Sequence, residues 1–178
     1  MIDSFKEKYA FLSNFYWLPN GTTVEHLFQA DKCLRMEDRD WIMSQSSPGK
    51  AKKAASKYGL DERRITIVGN WEEIKVDRML KHLRMKFQYP ELRKFLLETG
   101  DEQLIEGNWW HDNQWGNCTC GRPECSVVGK NLLGKLLMQV REEIKEKQIV
   151  IQPAEVRINA VAGESVLYGP THRQRGVK

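Results

Sequence analysis

The sequence predicts one mainly helical α+β domain over residues 1–148, followed by a C-terminal extension over residues 149–178. Two patterns predict this: several segments repeat apolar residues at helical spacing between helix caps, and only short segments resemble strands. The 178-residue chain has 40% hydrophobic and 29% charged residues, which is typical of a globular domain. Beyond residue 149 the composition changes to strand-like pieces and a polar, basic end, so the order of the extension stays open.

The N-terminal part is predicted to form a short strand and three helices. Thr22 or Thr23 caps a helix that carries the segment VEHLFQADKCLRM. A second short helix follows it. A third, basic helix has Ser47 as its cap, Pro48 as its first residue and Gly59 as its stop signal.

The middle of the chain has the clearest helical pattern. Asn70 is a good N-cap, and Glu73 three residues later resembles the second half of a capping box. Apolar residues at helical spacing then predict a buried stripe, formed by Trp71, Ile74, Leu80, Leu83 and Phe87. Pro90 and Gly100 mark the start and the end of the next helix.

The C-terminal part of the domain combines a strand, a long loop and a final helix. The segment QLIEGN is predicted to be a strand with Leu104 and Ile105 buried. A loop rich in Trp, Asn, His and Cys covers about residues 108–129. Leucine, valine and isoleucine residues at helical spacing between Leu132 and Ile144 then predict a long amphipathic helix.

The segment VEHLFQADK in the first helix carries two ionisable groups that can converge. Seven residues at about 100° each bring Lys32 to within about 20° of Glu25 around the helix, with an axial gap of about 10 Å. Phe28 and Gln29 lie between them, so a ligand on this face would meet a carboxylate, an aromatic ring, an amide and an amine. The alternative is a surface helix with solvated charges, whose opposite face (Val24, Leu27, Ala30, Leu34) contacts the core.

The loop segment NWWHDNQWGNCTCGRPEC concentrates groups that exposed loops avoid. Its three tryptophans either pack on the core or form the wall of a pocket. Asp112 beside such apolar walls would have a raised pKa if buried and would transfer protons. The alternative is a turn-forming aspartate that binds its own backbone.

Three cysteines of this loop, Cys118, Cys120 and Cys125, are candidate ligands for structural zinc. His111 or Cys33 is the conceivable fourth ligand of a tetrahedral site. A catalytic cysteine has less support, because no base is visibly tied to a thiol. The N-terminus lacks the pattern of a secretory signal, and no apolar run approaches the roughly 20 residues of a membrane helix. We therefore expect a cytoplasmic protein with reduced thiols and no membrane partner.

Several short motifs occur in an order that resembles the NADAR family, which includes the YbiA-like N-glycosidases. They are FLSNF, VEHLFQADK, PGKAKKAA, NWEEIKVDRML, PELRKFLLETGDEQLIEG, DNQWG and GKNLLGKLLMQVR, over roughly residues 2–141. The cysteine-bearing insert and the extension after residue 149 fall outside this pattern. The resemblance implies a mostly helical α+β fold around a polar cleft, and hydrolysis of a ribosyl N-glycosidic bond.

The resemblance also implies two substrate classes and a set of site residues. The substrates are ribosylamino-pyrimidine phosphate intermediates of riboflavin synthesis, or ADP-ribose attached to guanine, in DNA or RNA. By motif match, the candidate catalytic residues in the cleft are Glu25, Lys32 and Asp112. The matching candidate substrate-binding residues are Asn14, Trp71, Trp115 and Asn131. The helix geometry adds Phe28 to the substrate-binding residues. No cofactor is expected to be required for catalysis, and zinc is a possible structural ion.

Two chemical routes and two other functions stay open at this level. Lys32 would form a Schiff base with the opened sugar, or the ring would stay closed and break toward an oxocarbenium ion. The other functions are a non-catalytic ADP-ribose or NAD-binding module, and a nucleic-acid contact made by the cysteine loop and the basic tail. The net charge of +4 tolerates phosphate-bearing partners without arguing for one.

Overall fold

A computed structural model describes the backbone of residues 1–162 and the side chains of residues 1–147. Within this part, six α-helices and a two-stranded parallel sheet are joined by loops and short 3-10 segments. The elements are α1 (Val24–Asp31), α2 (Met36–Met43), α3 (Pro48–Ala54), α4 (Trp71–Lys86), α5 (Pro90–Glu98), β1 (Gly107–Asn108), β2 (Asn117–Cys118) and α6 (Leu132–Ala162), with 3-10 helices at Glu7–Leu12 and Pro123–Cys125. The predicted mainly helical α+β fold is confirmed.

Helix α1 begins where its cap predicts and ends earlier than its apolar pattern predicts. The Thr23 hydroxyl accepts a hydrogen bond from the His26 N–H, so Thr23 is the N-cap. The helix ends at Asp31 because the next residues pair with another segment. Leu34 N donates to Thr66 O at 2.8 Å, and Val68 N donates to Lys32 O at 2.9 Å. Leu34, expected on the core side of a longer helix, is 64% exposed.

Helix α4 starts after Asn70, but the predicted capping box is wrong, because the Asn70 side chain makes no cap hydrogen bond. Part of the predicted stripe is confirmed: Trp71, Leu83 and Phe87 are buried, whereas Ile74 and Leu80 are half-buried. Four other residues of this helix are buried as well: Lys75, Met79, His82 and Lys86. Tertiary packing therefore buries a wider face than the apolar spacing indicates.

Small side chains let α1, α2 and α3 pack closely together. One buried cluster lies between these helices, and its members are Ala30, Cys33, Ile42, Ala51, Ala54 and Ala55. Leu133, Leu136, Leu137 and Val140 of α6 are also buried, as the spacing predicts. This packing holds α1 with one face on the core and leaves another face available for a cavity.

The N-terminus pairs with the segment that precedes β1. Ile2 forms a parallel bridge to Leu104, with Ile2 N donating to Gln103 O and Ile105 N donating to Ile2 O, both at 2.8 Å. Leu104 is fully buried as predicted, and Ile105 is half-buried. A Cβ on Gly107 would lie 2.3 Å from Asp3 O, so this close approach of two backbones requires glycine.

The chain divides into two compact units, Met1–Glu143 and the residues from Ile144 onward. The last helix continues to Ala162, across residues where the sequence has strand-like pieces. The rest of the predicted extension, residues 163–178, lies outside the described residues. Across the described helices, none has both the length and the apolar character that a membrane span requires.

Candidate active site

A cavity of about 520 Å³ lies beside α1, and four parts of the chain form most of its lining. They are the segment around Ser13 and Asn14, the face of α1 that carries Glu25, the N-terminal half of α4, and the residues around β1 with the loop after it. This volume is within the usual range for small-molecule sites.

Helix α1 brings its carboxylate and its amine to the same cavity. Glu25, Phe28, Gln29 and Lys32 all line it, as expected from their spacing on one helical face. Glu25 is 5% exposed and accepts a hydrogen bond from Gln29 Nε2 at 2.7 Å. These charges are therefore on a buried face, and the alternative of a solvated surface helix is wrong for Glu25.

Burial shifts the Glu25 carboxyl and the Lys32 amine toward their neutral forms. It raises the pKa of Glu25, against the opposing effect of Lys52, the Gln29 hydrogen bond and Lys32. Burial also lowers the pKa of Lys32, while the nearby Glu25 charge opposes that change. The pair therefore offers a carboxyl that can hold a proton beside an amine that can release one.

Three aromatic rings form one wall of the cavity. The Phe28 ring centroid lies 5.0 Å from that of Trp71 and 5.2 Å from that of Trp115. Lys32 Nζ lies 5.8 Å from the Trp71 ring centroid. An apolar wall beside the amine keeps water from one side of it and offers a flat surface to a planar base.

Asp112 forms the turn that its sequence context allows and also lines the cavity. Its Oδ1 accepts hydrogen bonds from Gln114 N at 3.1 Å and Trp115 N at 2.8 Å, which is a turn-forming arrangement. The same residue lines the cavity. The Asn108 side chain bonds the Asp112 backbone through both its Nδ2 and Oδ1 atoms, at 2.7 and 3.1 Å. The carboxylate is thus fixed in direction.

Glu106, which the sequence reading missed, adds another carboxyl to the cavity. Burial raises its pKa to about 7, and the negative charge of Asp112 adds to the rise. The strand-like segment QLIEGN contained the signal: residues 104 and 106 share a face in an extended chain, and Leu104 was expected to be buried.

Lysine residues outside α1 also line the cavity. Lys52 of the basic helix α3 reaches it, and so does Lys75 of α4, which is 8% exposed and paired with Glu72. Lys75 was not predicted, because its position in the apolar pattern of α4 carries no signal for a cavity.

Two buried amide oxygens in the cavity wall lack protein partners. Asn14 Oδ1 and Gln29 Oε1 have no hydrogen-bond partner among the residues whose side chains are described. The Asn14 backbone oxygen accepts from Glu25 N at 3.0 Å, which fixes this asparagine against α1. A buried acceptor without a donor is costly, so these oxygens favour a ligand that supplies hydroxyl or amine hydrogens.

Asn131 is not among the residues that line the cavity, so its role in substrate binding stays a prediction from the motif. Its Oδ1 accepts from Glu106 N at 3.0 Å, and its Nδ2 donates to Leu104 O at 2.8 Å. Both polar atoms of the side chain are therefore used to hold the chain before β1 against the start of α6. Asn131 supports the position of Glu106.

The fourth member of the cysteine cluster is His111. Its ligand atom and the sulfurs of Cys118, Cys120 and Cys125 all lie within 4.8 Å of one another. His111 Nδ1 is 3.3 Å from both Cys120 Sγ and Cys125 Sγ. Cys33 is buried elsewhere, in the helical cluster around Ala30. The four groups form a cluster that can hold a metal ion.

The fold and the cavity define a mainly helical α+β protein whose candidate site has an aromatic wall and ionisable side chains. Comparisons with known proteins identify its family. The NADAR domain model matches residues 3–145. N-glycosidase YbiA of Escherichia coli (strain K12) is 38% identical over 148 residues, which are 79% of this chain and 85% of that protein. The chain belongs to the NADAR domain family, as its motifs predict.

Two further similarities agree with this assignment. The NMR structure of the E. coli protein YbiA matches this fold with a TM-score of 0.65 at 34% identity, over 84% of this chain and 89% of that one. Riboflavin biosynthesis protein PYRR, chloroplastic, of Zea mays is 34% identical over 129 residues, which are 68% of this chain and 19% of that protein.

Proposed function

We propose that this protein is a hydrolase that cleaves a ribosyl N-glycosidic bond in the cavity beside α1. The observation that carries the proposal is that Glu25 and Lys32 line one buried cavity together with Asp112 and Glu106. Relatives named N-glycosidase, similar over most of the chain, support this enzyme class. The proposed substrates are a ribosylamino-pyrimidine intermediate of riboflavin synthesis or ADP-ribose linked to guanine.

In the proposed route, Lys32 attacks an opened sugar. Both substrate classes join ribose to an exocyclic nitrogen that still carries hydrogen. The nitrogen lone pair moves toward the anomeric carbon, the bond from that carbon to the ring oxygen breaks, and the oxygen takes a proton. Neutral Lys32 adds to the resulting imine and the base leaves with a proton, so that a Lys32 Schiff base remains for water to hydrolyse.

The cavity carboxyls move the protons of this route. Glu25 protonates the sugar oxygen, and Glu106 protonates the departing nitrogen; burial raises the pKa of both carboxyls, that of Glu106 to about 7. Asp112 orients the sugar hydroxyls or the attacking water. These roles agree with the burial of Glu25 and with the place of all three groups in the cavity wall.

The remaining wall residues bind the substrate without reacting. Trp71, Trp115 and Phe28 contact the planar base, and Asn14 Oδ1 accepts a hydrogen bond from a ribose hydroxyl. Lys52 is placed to neutralise a phosphate at the edge of the cavity.

A closed-ring route is the chemical alternative, in which Glu25 or Asp112 stabilises an oxocarbenium ion while water attacks. Borohydride added during turnover separates the two routes. A reduced ribosyl adduct on the peptide that contains Lys32 supports the imine route. Undiminished turnover without any adduct supports the closed ring.

The substrate is tested by offering both classes to the same preparation. Wild-type protein is incubated with each, and the free base and the free ribosyl product are quantified, with Glu25→Ala as the control for contaminating activity. Hydrolysis of one class identifies the substrate. If the protein instead binds an ADP-ribosyl compound tightly and releases no hydrolysis product from it over hours, a non-catalytic binding module is supported.

ADP-ribosylated nucleic acid is the macromolecular form of the second substrate class. Trp109 and Trp110 are 67% and 55% exposed, and Trp110 also lines the cavity, so unpaired bases have rings to stack on. Affinity for a modified oligonucleotide that does not change with salt concentration would count against this form.

We also propose that His111, Cys118, Cys120 and Cys125 bind one structural zinc ion, as the three-cysteine, one-histidine set of tetrahedral sites does. The site needs thiols that are not oxidised to disulfides, so the proposal includes a reducing compartment such as the cytoplasm. Elemental analysis of purified protein is expected to give about one zinc per chain.

A further inference from the structure

The metal cluster and the cavity share one short run of residues. Trp110, His111 and Asp112 are consecutive, and the first and third line the cavity while the second joins the three thiols. We propose that zinc bound to the cluster positions Trp110 and Asp112, so that His111 acts as a positioning residue for the reaction. This inference rests on the proposed zinc site and extends the proposed glycosidase.

Local contacts hold Asp112, but they do not explain how His111 and Trp110 keep their places. His111 has a φ of +67°, in the left-handed region that residues other than glycine rarely adopt. It is exposed, and its neighbour Trp110 is 55% exposed, so little buried surface holds them. A metal ligand at this position supplies the constraint that packing does not.

The cluster connects this exposed run to the buried sheet. Cys118 lies in β2 and is 3% exposed, whereas Cys120 and Cys125 follow it in the chain and are half-buried. β2 pairs in parallel with β1, where Asn108 bonds the Asp112 backbone. A zinc ion held by Cys118 would therefore tie His111 to β2, while Asn108 of β1 holds the backbone of Asp112.

The binding step is a simple exchange of protons for metal. Each thiol that coordinates Zn²⁺ releases its proton to solvent, and neutral His111 coordinates through the free nitrogen of its ring. No electrons are transferred, and the ion stays outside the cavity wall. The zinc ion affects the reaction only through the positions of Trp110 and Asp112.

Hydrogen exchange on the full chain tests the inference directly. The amides of Gln114 and Trp115 bond to Asp112 Oδ1, so their exchange reports whether Asp112 keeps its place. Zinc-loaded protein, protein stripped with a chelator and protein reloaded with zinc chloride are compared. Cys120→Ser removes a ligand, and Thr119→Ala changes the exposed residue beside it as the matched control.

The expected result is local and reversible. Without zinc, and in Cys120→Ser, the two amides exchange at least about tenfold faster, while amides of α4 are unchanged; Thr119→Ala matches wild type in zinc content and exchange. Cobalt in place of zinc gives the visible absorption of full thiolate coordination in wild type and in Thr119→Ala, and this absorption is weakened or lost in Cys120→Ser. If the protein hydrolyses its substrate, kcat/KM falls by up to about 100-fold in Cys120→Ser, the size expected for misplaced groups.

Three results would overturn the inference. They are absence of bound zinc after loading, unchanged exchange of Gln114 and Trp115 on zinc loss, and equal acceleration in α4, which would make zinc a general stabiliser. The outcome is separable from the proposed function: a local exchange response in a protein inactive on both substrate classes would refute the glycosidase and leave the positioning role standing.

Discussion

Glu106→Gln is the substitution whose kinetic effect follows most directly from the structure. Burial and the Asp112 charge raise the pKa of Glu106 from 4.5 to about 7. This change favours the protonated carboxyl by about 3 kcal/mol relative to an ordinary glutamate. At pH 7 about half of Glu106 is then protonated, against about 0.3% at the ordinary pKa (1/(1 + 10^2.5)). Glutamine keeps the shape and removes the acidic proton.

The assay is the pH dependence of kcat/KM on whichever substrate the wild type hydrolyses. In wild type, one limb of the profile is expected to have an apparent pKa of about 7. In Glu106→Gln this limb is expected to be absent, and kcat/KM at pH 7 to fall by about 10²–10⁴-fold, the range of general acid–base catalysis.

Glu72→Gln is the matched control, because Glu72 also lines the cavity but pairs with Lys75. It is expected to keep the limb near pH 7. A limb near pH 7 that persists in Glu106→Gln would refute the assignment of the proton donor to Glu106.

Three further predictions concern stability and are read from urea unfolding. Thr23→Ala removes the buried cap of α1 and should lower the free energy of unfolding by about 1 kcal/mol, whereas Thr23→Ser keeps the hydroxyl and most of the stability. Burial lowers the pKa of Lys86 to about 7, so between this value and 10.5 the unfolded chain binds more protons than the folded one. The free energy of unfolding should therefore rise by about 2 kcal/mol from pH 7 to pH 9, and Lys86→Met, which leaves no titrating group, should abolish this part of the slope; an equal slope in both proteins contradicts it. Gly107→Ala places a Cβ against Asp3 O and should destabilise the protein, while Gly69→Ala, with open space at its Cβ, should not; equal stability of the two would show that the N-terminal pairing yields easily.

Signals contained within a few residues of sequence predicted the structure best. Thr23, Ser47 and Pro90 mark the starts of three helices because a cap or a first-turn proline acts on its own turn. The end of α1 could not be predicted in the same way. It depends on two backbone hydrogen bonds with residues that are distant in sequence: Leu34 N donates to Thr66 O, and Lys32 O accepts from Val68 N.

The site shows the same division between local and distant information. Helical periodicity allowed Glu25 and Lys32 to share a face, but the cavity beside that face comes from α4 and the β1 region. The strand pattern put Glu106 on the same face as Leu104, but only the folded chain brings it into one cavity with Asp112. For this reason Glu106 was not predicted as a site residue. Spacing also left His111 and Cys33 as equal candidates for the fourth ligand, and the turn at His111 decides between them.

The most direct test of the Schiff-base route through Lys32 is the kcat of Lys32→Ala, measured on the substrate that the wild type hydrolyses. Lys53→Ala, which removes an exposed amine outside the cavity wall, is the control. If Lys32 reacts with the sugar, kcat falls by at least about 100-fold in Lys32→Ala and stays at the wild-type value in Lys53→Ala. A folded Lys32→Ala protein that turns over at the wild-type rate would contradict the account.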